Sequence, residues 1–139
     1  MTARSVVRVV AAVAMMAIGV AHFAAPDGFV AIVPAWLPAP RALVLVSGFF
    51  EVLGGAGLLV PRVRRAASWG LVALYVCVFP ANVNMALHDV QPAGLHIPEA
   101  LLWARLPFQI VFIAVALWVG KPDRTPANDG PGSAGARAA

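Results

Sequence analysis

Four long apolar stretches dominate the chain, and short polar or proline-rich segments separate them. The stretches cover residues 6–24, 42–60, 66–87 and 100–119. Each is close to the roughly 20 residues that a helix needs to cross a bilayer at about 1.5 Å per residue. The pattern therefore predicts an all-α protein, a four-helix transmembrane bundle that occupies residues 1–120. Residues 121–139 are rich in Pro, Gly, Ser and Ala, which predicts a disordered tail.

The first apolar stretch follows Arg4 and Arg8, an arrangement that signal peptides share. A signal peptide would end in a small-residue cleavage site, and Phe23 interrupts the nearest candidates. We therefore expect an uncleaved first span.

A proline-rich connector joins the first two spans. Residues 26–40 contain four prolines among apolar side chains such as Phe29, Ile32 and Trp36. The segment is too short and too interrupted to cross a bilayer. We expect it to lie in the headgroup region or against the bundle, where its backbone groups can find partners.

The basic residues predict the orientation of the spans. The formal charge is +4, but charged residues make up only 12% of the chain and flank the spans, which excludes a nucleic-acid interface. Eight of the ten basic residues lie at the termini or in the turn after the second span: Arg4, Arg8, Arg62, Arg64, Arg65, Lys121, Arg124 and Arg137. Basic residues favour the cytoplasmic side, so both termini are predicted to be cytoplasmic. The same rule places residues near Pro92 outside. Trp36 and Trp103 then fall at the outer interface, and Trp69 and Trp118 at the inner one.

Each predicted span carries at least one polar group in its central or outer part. With the spans drawn at about 1.5 Å per residue, Glu51 lies near the midplane and the others lie nearby or toward the outside. A carboxylate at this depth costs at least ~2.5 kcal/mol, so polar groups should face one another inside the bundle. The predicted polar cluster contains His22, Glu51, Asn82, Arg105 and Gln109.

Arg105 is the expected partner of Glu51, because its long stem and forked guanidinium suit a carboxylate. Such a pair could serve only to fix the register of the helices. Alternatively, an intramembrane glutamate is a candidate proton or ion site. The sequence leaves both interpretations open.

His22 could carry a proton, ligate haem or make an interhelical hydrogen bond, and we favour the last. A bis-histidine haem needs a second facing imidazole, whereas His88 and His96 lie in a predicted loop. No metal-ligand motif, phosphate-binding loop or catalytic set is present in the sequence, which predicts no metal site and no catalytic residues. The single cysteine, Cys77, is interpreted as a small core residue.

The order and spacing of several short motifs resemble those of the DoxX-like small membrane proteins. The motifs are Gly19-Val-Ala-His22-Phe23, Ser47-Gly48-x-x-Glu51, Phe79-Pro80-Ala81-Asn82-x-x-Met85-Ala86 and Arg105-Leu-Pro107-Phe-Gln109. The resemblance extends from about Gly19 to Trp118. It implies a four-helix protein of the bacterial inner membrane, and some members of that family are associated with quinone-linked oxidoreductases or oxidative-stress systems.

The resemblance leads us to expect a non-catalytic or accessory membrane subunit with a redox-protein partner and quinone as a possible cofactor. The alternative is a small proton-coupled transporter that uses Glu51. Partners of the chain would be the lipid bilayer and a redox protein, with no nucleic acid. The sequence does not define the oligomeric state.

Overall fold

A computed structural model describes residues 2–91 and 96–122, and these residues form five helices and no strand. The helices are α1 (Ala3–Ala24), α2 (Pro26–Val30), α3 (Pro40–Leu59), α4 (Arg64–Leu87) and α5 (Glu99–Val119). The predicted tail lies outside the described residues, except for Lys121 and Pro122.

Four of these helices, α1, α3, α4 and α5, are long and apolar enough to cross a membrane. They begin slightly earlier than the predicted spans, and they end at or next to the predicted positions. Their outward surfaces carry many exposed large apolar side chains, including Val10, Phe49, Phe112 and Ile110. A soluble protein rarely exposes so much apolar surface, whereas a multi-pass membrane protein presents it to lipid.

The long helices form a ring in which α1 packs on α3, α3 on α4, and α4 on α5. Side chains near the chain ends link α1 to α5: Arg8 Nε donates to the carbonyl of Val119 over 3.0 Å, and Arg4 lies over the ring of Trp118. At the same end of the bundle, Arg64 Nε donates to the carbonyl of Leu58 over 3.0 Å. Arg8 and Arg64 are both buried, and each donates to a carbonyl in the last turn of a helix, α5 for Arg8 and α3 for Arg64. Carbonyls in a last turn have no partner within their own helix.

Glycines allow α1 to approach α3 closely, as expected for helices that associate in a membrane. A β-carbon built on Gly19 would lie 2.6 Å from the carbonyl oxygen of Gly48, and one built on Gly48 would lie 2.6 Å from His22 Cβ. On the other side of α3, a β-carbon on Gly57 would lie 2.6 Å from Ala67 Cβ of α4.

The connector folds against the bundle. Its short helix α2 packs on α1 and α3, and Phe29 stacks on the ring of His22 at 3.9 Å. Asn84 Nδ2 donates to the carbonyl of Ile32 over 3.0 Å, so α4 supplies a partner for the connector backbone. An exposed ion pair between Asp27 and Arg41 joins its beginning to α3. Of the two expected positions for this segment, the contacts favour the one against the bundle.

Candidate functional site

A cavity of about 410 Å³ lies beneath the connector, and all five helices contribute to its wall. Most of the wall is apolar, with side chains such as Phe29, Leu37, Val44 and Met85. We call its five polar residues the polar lining: His22, Ser47, Glu51, Asn82 and Arg105. The volume and the few polar groups are typical of a pocket for a small, largely apolar molecule.

The cavity reaches the outer surface of the bundle. Val46 and Phe50 of α3 and Cys77 of α4 line it and are also exposed. The interpretation of Cys77 as a core residue is therefore wrong. Hydropathy cannot distinguish a core position from a lipid-facing one, because the core and lipid-facing surfaces of a membrane helix are both apolar.

Glu51 and His22 make the closest contact between two ionisable side chains of the polar lining. Glu51 is 8% exposed and His22 is 7% exposed, and Glu51 Oε2 lies 3.3 Å from His22 Nδ1. The same nitrogen lies 2.8 Å from the carbonyl oxygen of Ile18. Because a carbonyl can only accept, Nδ1 must carry the hydrogen and donate it to Ile18. Glu51 Oε2 is buried and has no hydrogen-bond partner among the described residues.

The expected ion pair between Glu51 and Arg105 is not formed in the structure. The side chain within 4.0 Å of the carboxylate is His22 and not Arg105. Arg105 lines the same cavity but remains exposed. The close packing of α1 on α3 explains the difference, because it brings His22 against Glu51.

Two amides of the predicted cluster form a short chain behind the cavity. Gln109 Nε2 donates to the backbone carbonyl of Tyr75, and Asn82 Nδ2 donates to Gln109 Oε1 over 3.0 Å. The Tyr75 carbonyl can only accept, and this fixes the orientation of both amides. Asn82 lines the cavity, whereas Gln109 lies behind it. Four of the five predicted residues thus line one cavity. The fifth, Gln109, orients the side chain of Asn82.

Ser47 joins the polar lining although the predicted cluster did not include it. Its Oγ donates to the carbonyl of Val44 over 2.8 Å. Ser47 lies four residues before Glu51, on the same face of α3. That spacing could have predicted from the sequence that Ser47 belongs to the polar cluster.

Among residues 2–91 and 96–122, no group of three or more His, Cys, Asp or Glu side chains could hold a metal ion. The candidate haem ligands His88 and His96 are exposed, and His88 Nδ1 lies 3.1 Å from the carbonyl oxygen of Asn84. His22 is instead held by Ile18, Phe29 and Glu51.

Residues 11–120 match the family described as "Domain of unknown function (DUF8561)", and the chain belongs to that family. The match covers α1 from residue 11 onward, the connector and the whole of the other three long helices. No curated protein and no solved structure matches the chain significantly.

Proposed function

We propose that this protein resides in the bacterial inner membrane and is a non-catalytic, accessory subunit of a quinone-linked redox or oxidative-stress system. The observation that carries the proposal is the cavity, with its apolar wall, its polar lining and its opening at the bundle surface. The resemblance of the motif order to DoxX-like proteins supports the same function. The four motifs contribute His22, Ser47, Glu51, Asn82 and Arg105, which together are the polar lining.

A quinone ring fits the residues that line the cavity. A volume of about 410 Å³ can hold a substituted ring, and the apolar wall can enclose it. Asn82 and Arg105 can donate hydrogen bonds to a ring oxygen, and an isoprenoid tail can leave past Val46 and Cys77. A bound quinone would supply electron and proton exchange with a redox partner, while these residues bind and orient it.

The proposal predicts that quinone accompanies the protein through purification in mild detergent, together with a redox protein. Filling the cavity should remove the quinone. Ala81 of α4 lines the cavity, so Ala81→Phe should lower the extractable quinone at least about tenfold. Ala73 is exposed on the same helix, and Ala73→Phe serves as the matched control. Solvent extraction and chromatography measure the quinone. Protein that purifies alone and without quinone would contradict the proposal.

Glu51 supports the alternative function, a proton-coupled transporter, because its buried carboxyl group lines a cavity open to the surface. Flux into proteoliposomes driven by a proton gradient, and abolished by Glu51→Gln, would favour this alternative. Flux that the variant leaves unchanged would remove its basis.

The proposed orientation places both termini and the turn around Arg64 in the cytoplasm. The four tryptophans are exposed near helix ends, as membrane-interface anchors would be. In a Cys77→Ala background, His96→Cys should react with an impermeant thiol reagent on intact cells, and Arg65→Cys should react only after lysis. Both wild-type side chains are exposed, so accessibility within the protein is matched. The reverse labelling pattern would overturn the orientation.

A further inference from the structure

The polar lining is rich in hydrogen-bond acceptors because backbone carbonyls already engage its donors. His22 Nδ1 donates to the carbonyl of Ile18, which leaves Nε2 of a neutral imidazole as an acceptor. Ser47 Oγ donates its only hydrogen to the carbonyl of Val44, which leaves its lone pairs.

The amide chain has the same consequence for Asn82. The carbonyl of Tyr75 orients Gln109, and Gln109 Oε1 then takes a hydrogen from Asn82 Nδ2. Asn82 Oδ1 makes no hydrogen bond to any described side chain or backbone group and is left as an acceptor. Glu51 adds a carboxyl group, which accepts when it is ionised. The side-chain donors that remain are the guanidinium of Arg105 and the second amide hydrogen of Asn82.

The charges of the lining balance. Glu51 and Arg105 carry opposite charges on the same cavity, and in the part of the chain that the structure describes no other acidic or basic side chain lines it apart from His22. A neutral ligand is therefore better matched than an ammonium or a carboxylate, whose charge would remain uncompensated in an apolar pocket. The complementary ligand is neutral, has an apolar body and donates hydrogen bonds from its polar end.

We propose that the cavity selects the reduced, hydroxyl-bearing form of its ligand, a hydroquinone, over the oxidised quinone. The hydroxyl groups of a hydroquinone can donate to Glu51, His22 or Asn82. A quinone has only acceptors, so it can use only the two remaining donors, Arg105 and the second amide hydrogen of Asn82. A hydrogen bond to a charged acceptor contributes about 1.5–3 kcal/mol, which corresponds to at least about tenfold in affinity. This inference rests on the proposed quinone-linked function.

Three probes with the same ring isolate the effect of the donor: tetramethylhydroquinone, tetramethylbenzoquinone and the dimethyl ether of the hydroquinone. The quinone has no open ring position to which a thiol could add. Binding is measured anaerobically on the full-length protein in detergent by the protection of Cys77 from a maleimide, because Cys77 lines the cavity and is the only cysteine. The shift of the unfolding temperature provides a second readout.

The hydroquinone should protect Cys77, and stabilise the protein, at a concentration at least about tenfold lower than the quinone or the ether. Equal binding of the hydroquinone and the quinone would overturn the selectivity but leave the proposed function intact. Farnesol, an isoprenoid alcohol without a redox ring, tests the proposed quinone-linked function separately from the selectivity. Binding of farnesol but not of the hydroquinone would overturn both the selectivity and the quinone-linked function, and would assign the cavity to a hydroxyl-bearing lipid.

Two variants test whether Glu51 is responsible for the preference for the hydroquinone. Glu51→Leu removes an acceptor from the lining and should reduce the preference for the hydroquinone over the quinone at least about fivefold. Glu99→Gln changes an exposed carboxylate outside the cavity and should leave the preference unchanged. A preference that survives in Glu51→Leu would contradict the role of Glu51. The comparison of the three probes on the unaltered protein does not depend on the folding of either variant.

Discussion

Replacement of Gly48 by leucine is expected to prevent the bundle from folding. A β-carbon at this position would lie 2.6 Å from His22 Cβ and 2.9 Å from the carbonyl oxygen of Gly19. The first neighbour is rooted in the α1 backbone and the second belongs to it, so neither can give way without moving the helix. Overpacking of this kind costs about 3 kcal/mol or more, a large fraction of the stability of a small protein.

Gly70 provides the matched control for this prediction. It is also a helical glycine, but a β-carbon there would meet nothing within 4 Å, and the residue is exposed. Gly70→Leu should fold and be at least as stable as the unaltered protein, because leucine has the higher helix propensity. Size-exclusion chromatography and thermal unfolding in detergent compare the two variants. Equal stability of both would show that α1 and α3 are not in close contact.

Glu51→Leu is expected to stabilise the protein by about 1–3 kcal/mol while it weakens ligand selectivity. Glu51 Oε2 is buried and finds no hydrogen-bond partner within residues 2–91 and 96–122, and an unsatisfied buried charged group costs at least this amount. Leucine has a similar volume and carries no polar group. The hydrogen bond of His22 Nδ1 to Ile18 does not depend on Glu51 and should persist.

Glu51→Gln separates the loss of charge from the loss of polarity. An amide of the same shape retains a buried polar group, so its gain in stability should be smaller than that of Glu51→Leu. Thermal unfolding of both variants in one detergent measures the difference. If Glu51→Leu instead destabilises the protein by several kcal/mol, the carboxylate makes a stabilising ion pair, as the pairing with Arg105 expected from the sequence would require.

The positions of the long helices were predictable from the sequence because length and hydropathy are properties of the chain itself. The shared location of His22, Glu51, Asn82 and Arg105 also followed, since the bilayer forces polar groups at similar depth to face inward. The contacts within this set did not follow. They depend on the rotation of each helix about its axis and on the distance between helices, which Gly19 and Gly48 set for α1 and α3.

The connector was only partly predictable. Its prolines and length exclude a span, but its contact with the bundle depends on single partners such as Asn84 and His22. Both partners lie on other elements and have no local signature. Ser47 differs, because its spacing from Glu51 places it on the same helical face and is readable from the chain.

The exposed rim of the cavity determines which concentration of ligand controls its occupancy. Val46, Phe50 and Cys77 reach the apolar surface of the bundle, so a hydrophobic ligand can enter from the surrounding lipid without crossing water. The relevant quantity is then the ratio of ligand to lipid molecules rather than the amount dissolved in the buffer. A fixed amount of ligand would fill the cavity less as lipid or detergent is added, even though the affinity of the site is unchanged.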